Sequence, residues 1–295
     1  MTENIPRGVL FALATTLVAS TAGAASKLIS SDVPVAMIVL AQYAICLLIA
    51  LPWLIKELSS TFRGKSLNES VLKTSRPWTH IARGITGWLC FYAYYQALAY
   101  IPLVDAALLR NTGPLFVPLV VWLWLKKKVR KRVVMPMVLG FAGVMLILKP
   151  DMEGFKVWHL VGLASGLLLA CSMVGTRTLA TTEPSSRINF YYFSISFLCS
   201  VPVALANWQP VPLSALPYLL YIGASIWLTM WFYTRAYGYA RASVIAPVNY
   251  SGVVFAGLIG WLLWSHIPDA TALAGMSMII LAGILTVVIN NHTHR

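Results

Sequence analysis

The chain has 295 residues, of which 59% are hydrophobic and 11% charged. Soluble domains carry about 25% charged residues, so a water-soluble fold with an ordinary core is excluded. The net charge of +13 does not point to nucleic acid, because the basic residues sit in short loops between apolar spans, where cytoplasmic loops collect Lys and Arg.

Apolar windows of membrane-span length predict ten transmembrane helices, at 8–29, 34–55, 79–100, 103–125, 133–149, 158–177, 188–208, 216–239, 243–264 and 270–290. The first begins after Arg7 and ends near Ala22-Gly23-Ala24-Ala25, a pattern shared with cleaved signal peptides. The internal repeat described below needs it as a helix, so it is kept in the mature protein. Lys27, just beyond, either flanks a cavity or snorkels outward. The second span closes before 56–78, the longest hydrophilic stretch. The third carries Trp88, Tyr92 and Tyr95.

The fourth span is the most informative. It reads Asp105-Ala106-Ala107-Leu108-Leu109-Arg110-Asn111-Thr112-Gly113-Pro114. A charge inside the bilayer costs at least about 2.5–3.5 kcal/mol and usually faces a cavity or a partner. Pro114 cannot donate to the Arg110 carbonyl, and Pro118 repeats the effect at the Pro114 carbonyl. The helix is therefore expected to loosen around Arg110, Asn111 and Thr112, where freed carbonyls must be buried in protein or line water. Asp105 is the one good proton-coupling candidate within the spans. The alternative is that Arg110 is a structural ion-pair partner of Asp105. Five residues on a helix turn through about 140°, so that pair is not automatic.

The run Lys126-Lys127-Lys128-Val129-Arg130-Lys131-Arg132 follows. With a cytoplasmic N-terminus, one side receives Arg7, Lys56, Arg63, Lys65, Lys73, Arg76, this run, Arg187, Arg241 and Arg295. The other side holds only Lys149 and Lys156 as clear basic residues. This asymmetry places both termini inside, which agrees with an even number of spans and with the cell inner membrane.

Shifted by 139 residues, segment 94–123 matches 233–262 at nine of thirty positions, among them Gly113/Gly252, Phe116/Phe255 and Trp122/Trp261. Asn249 then takes the place of Arg110, beside Pro247, Tyr250 and Ser251, with Trp227, Trp231 and Tyr233 in the preceding span. Five spans is an odd number, so two such units in one chain must be inverted. The expected fold is an all-α integral membrane protein of two inverted five-helix repeats, 1–150 and 151–295. Inverted repeats commonly build alternating access around a midplane site.

Several motifs carry a family resemblance: Ser75-Arg76-Pro77-Trp78 leading to Ala82-Arg83-Gly84, the block from Tyr94 to Pro114, Gly143-Val144 and Leu281-Ala282-Gly283. Together they resemble the EamA-type carriers of the drug/metabolite transporter superfamily. The resemblance implies a basket-like bundle whose cavity is formed by the first four spans of each half. The fifth spans, 133–149 and 270–290, would lie outside the path and leave room for a homodimer contact. Substrates in the family include amino acids, nucleosides, other metabolites and toxic compounds. The SRPW…ARG stretch also looks like S-adenosylmethionine carriers.

The expected function is secondary transport of a small polar, carboxylate-bearing solute, as an exporter or exchanger, with S-adenosylmethionine-type uptake as the alternative. Candidate substrate contacts are Arg110, Asn111, Thr112, Asn249, Tyr250, Trp88, Tyr92, Tyr95, Trp227, Trp231 and Tyr233, with Pro114, Pro118 and Pro247 as kinks. The sequence contains no GxxxxGK[ST] motif and no convergent catalytic set, so no enzyme activity is expected. Cys46, Cys90, Cys171 and Cys199 are isolated, so neither metal nor cofactor is expected. A non-transporting structural or sensory subunit is the different-class alternative; it would not need an inverted repeat with polar interruptions.

Overall fold

The computed structural model describes residues 4–62, 73–126, 131–148, 156–239, 248–266 and 269–291. Pro247, the start of the span expected at 243, Lys149 and much of the 126–132 basic run lie outside them. Among the described residues every regular element is helical. In chain order these are α1 (Ile5–Ile29), α2 (Val35–Phe62), α3 (Pro77–Tyr100), α4 (Leu103–Arg110), α5 (Gly113–Leu125), α6 (Lys131–Leu148), α7 (Val157–Leu179), α8 (Ser185–Ala206), α9 (Leu216–Tyr239), α10 (Ser251–Trp264) and α11 (Ala270–Asn291). A single 3-10 turn, Leu213–Ala215, leads into α9.

Six of these segments are long and apolar enough to cross a membrane: Ile5–Ile29, Val35–Ile55, Leu103–Trp124, Val157–Leu179, Ser185–Ala206 and Leu213–Tyr233. Helix α3 is more polar, with His80, Arg83, Gln96 and four tyrosines along its length. The expected fourth span is two helices, because the chain breaks at Asn111 and Thr112.

The bundle wears its apolar residues outside. Leu48, Leu198, Leu220 and Leu262 are exposed, whereas Gln42, Arg83, Thr112 and Ser196 are buried. That inversion of the soluble pattern suits hydrocarbon as the surrounding solvent, where backbone polar groups must be satisfied inside helices.

Helix contacts come in exchanged pairs. Helix α3 packs along α7 and α1 along α9; α5 packs on α7 and α10 on α1; α3 packs on α8 and α9 on α2. Further contacts join α2 to α8, α6 to α11, and α4 to both α7 and α10. Local geometry repeats as well. Thr112 (φ −70°, ψ −8°) and Tyr250 (φ −69°, ψ −14°) cap the starts of α5 and α10. Lys126 (φ 54°) and Ser265 (φ 53°) end them in the left-handed region, the two non-glycine residues there among those described.

Candidate functional site

The break between α4 and α5 organises the interior. Helix α4 has Asp105 in its first turn and Arg110 in its last, so both charges complement the helix dipole. Pro114 then opens α5, where a missing N–H costs nothing. Side chains of the break turn back onto the end of α4. Asn111 Nδ2 donates to the Ala107 carbonyl at 2.8 Å, and Thr112 Oγ1 donates to the Leu109 carbonyl at 2.5 Å. These two expected substrate contacts thus use polar groups on the break itself. Gly166 lets α7 close over it: a Cβ there would stand 2.6 Å from the Leu109 carbonyl oxygen and 3.3 Å from that of Arg110.

Arg110 points back to α3. Its guanidinium carbon lies 4.6 Å from the Phe91 ring centroid and 5.0 Å from that of Tyr94. Its Nε is buried and has no hydrogen-bond partner among the described residues. Cys90, Tyr94 and Tyr95 are the neighbours whose polar groups act on its charge. Asp105 acts instead on Lys27. The Lys27 ammonium donates to the Leu98 and Ile101 carbonyls at 2.7 and 2.6 Å, closing the end of α3.

Other expected contacts divide into three groups. Tyr95 donates to Gln42 Oε1 at 2.6 Å, and the Gln42 amide nitrogen is buried and has no partner among the described residues. Trp88 stacks on Tyr92 at 5.8 Å, its indole N–H likewise unpartnered, and Tyr92 accepts from Gln96 Nε2. Tyr250 is buried with an unpartnered hydroxyl, next to half-buried Asn249. Trp227 packs against the main apolar core, and Tyr233 is within electrostatic reach of Arg83. Trp231 is 39% exposed, against Phe11, Phe232 and Arg235. Unpartnered polar atoms on Gln42, Trp88, Arg110, Thr229 and Tyr250 thus come from α2, α3, α4, α9 and the cap of α10. Buried polar groups are normally hydrogen-bonded, so this set is one that a polar solute could complete.

Three interior features escaped the sequence reading. Arg83 is buried, with Nε donating to Thr176 Oγ1 at 2.5 Å, Nη1 to the Ile188 carbonyl at 3.2 Å, and its guanidinium 4.4 Å from the Tyr192 ring. The hydroxyls of Tyr43 and Tyr192 bond at 2.9 Å. His80 Nε2 pairs with Glu183 Oε2 at 2.7 Å, and Thr74 donates to the other Glu183 oxygen. Burial would raise the Glu183 carboxyl, but the hydrogen bonds from Thr74 and His80 outweigh it and hold it below its usual 4.5. Arg83 stood within an expected span, and a buried charge there was the available signal. The other two join residues more than 100 positions apart.

The EamA-like transporter family matches residues 6–149 and again residues 156–288. The chain is 33% identical over 206 residues to the pseudopaline exporter CntI of Pseudomonas aeruginosa, covering 69% of this chain and 72% of that protein. It is 28% identical over 257 residues to a riboflavin transporter of Vibrio cholerae, covering 86% and 83%. With an S-adenosylmethionine uptake transporter of Rickettsia bellii it shares 24% over 219 residues, 74% and 75% of the two chains. A solved crystal structure superposes with a TM-score of 0.62 at 19% identity, over 97% of this chain and 99% of that one; at that identity it speaks for the fold alone. The chain belongs to the EamA-like transporter family of the drug/metabolite transporter superfamily, and is a multi-pass membrane transporter of small molecules.

Proposed function

We propose that this transporter is a secondary carrier that moves a small polar, carboxylate-bearing metabolite across the inner membrane by alternating access, as an exporter or exchanger. Its two halves, 1–150 and 151–295, are inverted five-helix repeats, and both termini are cytoplasmic. The exchanged helix contacts and the repeated caps of α5 and α10 support the repeat. A homodimer through the fifth spans, α6 and α11, belongs to the same reading.

Arg110 carries the substrate assignment. It is a guanidinium at a helix break, held on two aromatic faces, with an unpartnered buried Nε. Arg stays charged at physiological pH and presents a planar fork that matches a carboxylate. A charge-assisted hydrogen bond contributes about 1.5–3 kcal/mol. The pseudo-equivalent position is Asn249, so the site has one cationic and one neutral pole. Asp105 remains the proposed coupling group.

Proteoliposome flux tests this reading. Amino acids, nucleosides, S-adenosylmethionine and riboflavin form the screen, and carboxylate-bearing solutes should move faster than their amides. Riboflavin lacks a carboxylate; riboflavin transport with no carboxylate transport would overturn the assignment. S-adenosylmethionine uptake is the second reading, favoured by the Rickettsia likeness. Sidedness is read by thiol labelling of intact cells: Asn207→Cys should label from outside and Lys73→Cys should not, and the reverse would invert the topology.

A further inference from the structure

Among the described residues two guanidiniums, those of Arg83 and Arg110, lie against interior aromatic rings, and the reading above uses one. Arg83 and Arg110 both lie close enough to Tyr192 for their charges to act on its hydroxyl. Among the described residues neither has a carboxylate partner; the ion pair of this region is His80–Glu183. Two like charges taken out of water repel each other, and each has lost hydration that a partner would normally replace. Thr176 and the Ile188 carbonyl accept from Arg83 but are neutral. A guanidinium has five N–H donors, and Arg83 has committed two.

Between the poles runs an aromatic wall. Arg83 sits over Tyr192; Tyr192 meets Tyr43 edge-to-face at 5.7 Å; Tyr43 meets Phe91 at 6.4 Å; and Phe91 lies under Arg110. Arg83 and Phe91 are eight residues apart on α3, about 12 Å along the helix. We propose that Arg83 and Arg110 are the two poles of one site, which takes a solute with two carboxylates separated by an apolar or aromatic spacer of about 10 Å. This rests on the carboxylate reading of Arg110 and narrows it. One carboxylate leaves one buried charge uncompensated; two neutralise both, and the wall of rings covers the spacer.

The test is calorimetric binding to the purified full chain in detergent, with azelate, its monoamide and succinate as probes. Azelate spans the two poles, the monoamide offers one charge at the same length, and succinate is too short. Wild type should bind azelate at least about tenfold tighter than either. Arg83→Gln should abolish the preference, bringing the azelate and monoamide affinities within about twofold of each other. Arg110→Gln should weaken both ligands. Equal binding of azelate and monoamide by wild type overturns the proposal, as does an Arg83→Gln protein that keeps the preference. If Arg83→Gln does not fold, Arg83→Lys decides: loss of the planar fork should lower the ratio severalfold, and an unchanged ratio overturns the proposal. Monoamide binding that depends on Arg110 while the ratio ignores Arg83 sinks the second pole and leaves the first. No binding by any probe sinks both.

Discussion

Residues 30–35 and 180–185 trace the same turn with opposite chemistry. In the first, Val33 N–H returns to the Ile29 carbonyl and Ile38 N–H to that of Pro34; in the second, Glu183 N–H returns to Leu179 and Ile188 N–H to Pro184. The offset is 150 residues. Val33 is buried in the apolar cluster that also holds Ala215, Leu219 and Ile222 at the start of α9. Glu183, at the equivalent place, meets Thr74 and His80 at the start of α3, with Arg76 donating to the Thr178 carbonyl and Arg83 one turn deeper. One turn is held by apolar packing, the other by a buried His80–Glu183 contact. The backbone is shared between the halves and the chemistry is not.

The largest expected effect comes from breaking the polar turn. Glu183→Val alone gives it the residue of the other half and leaves His80 without its partner. Removing one member of a buried pair costs about 3–5 kcal/mol, read as a drop in detergent melting temperature. Adding His80→Leu, the residue at the matching position 219, should restore most of it, because packed apolar replacements of buried pairs are often neutral or stabilising by about 1–4 kcal/mol. A double variant as unstable as the single one would mean the two turns are not equivalent. Acid sharpens the same comparison. The Glu183 carboxyl is depressed in the fold, so its contribution is complete above the ordinary value of 4.5 and is lost as pH falls below it through the folded value. Wild type should lose this increment of stability in acid and the double variant should not.

Next in size is the break itself. Gly166→Ala places a methyl against the Leu109 carbonyl, an overpacking that typically costs about 1–3 kcal/mol. Gly252→Ala, at the matching break of the other half, meets Thr16 Cβ at an ordinary 3.4 Å and should cost less. Equal losses in the melting temperature would remove the asymmetry between the breaks. The smallest effect is at the left-handed caps: Lys126→Gly and Ser265→Gly should each stabilise by up to about 1 kcal/mol, and by similar amounts if the caps are true counterparts.

Much of this was legible in the sequence. Apolar windows marked the helices, six of which are long and apolar enough to cross a membrane, and Pro114 after Arg110 marked the break. The ends of helices moved by a few residues, because hydropathy does not register caps: α2 runs on to Phe62 and α1 begins at Ile5 behind the Asn4 cap. The equivalence of the two turns was hidden because the 56–78 loop lengthens the first half, so the offset falls from 150 to 139 along the chain. Arg83 was visible only as a family marker. Its role depends on Thr176, Ile188 and Tyr192, roughly a hundred residues away. Trp231 is 39% exposed, a phase that composition does not carry.

The central claim is that Arg110, whose counterpart in the other half is the neutral Asn249, is a cationic pole that recognises a carboxylate. The direct measurement is uptake by proteoliposomes of a transported carboxylate and its amide, with wild type and Arg110→Gln of equal melting temperature. The account predicts that wild type prefers the carboxylate by about tenfold to a hundredfold, and that Arg110→Gln transports the two alike. A folded Arg110→Gln protein that keeps the wild-type preference would contradict it.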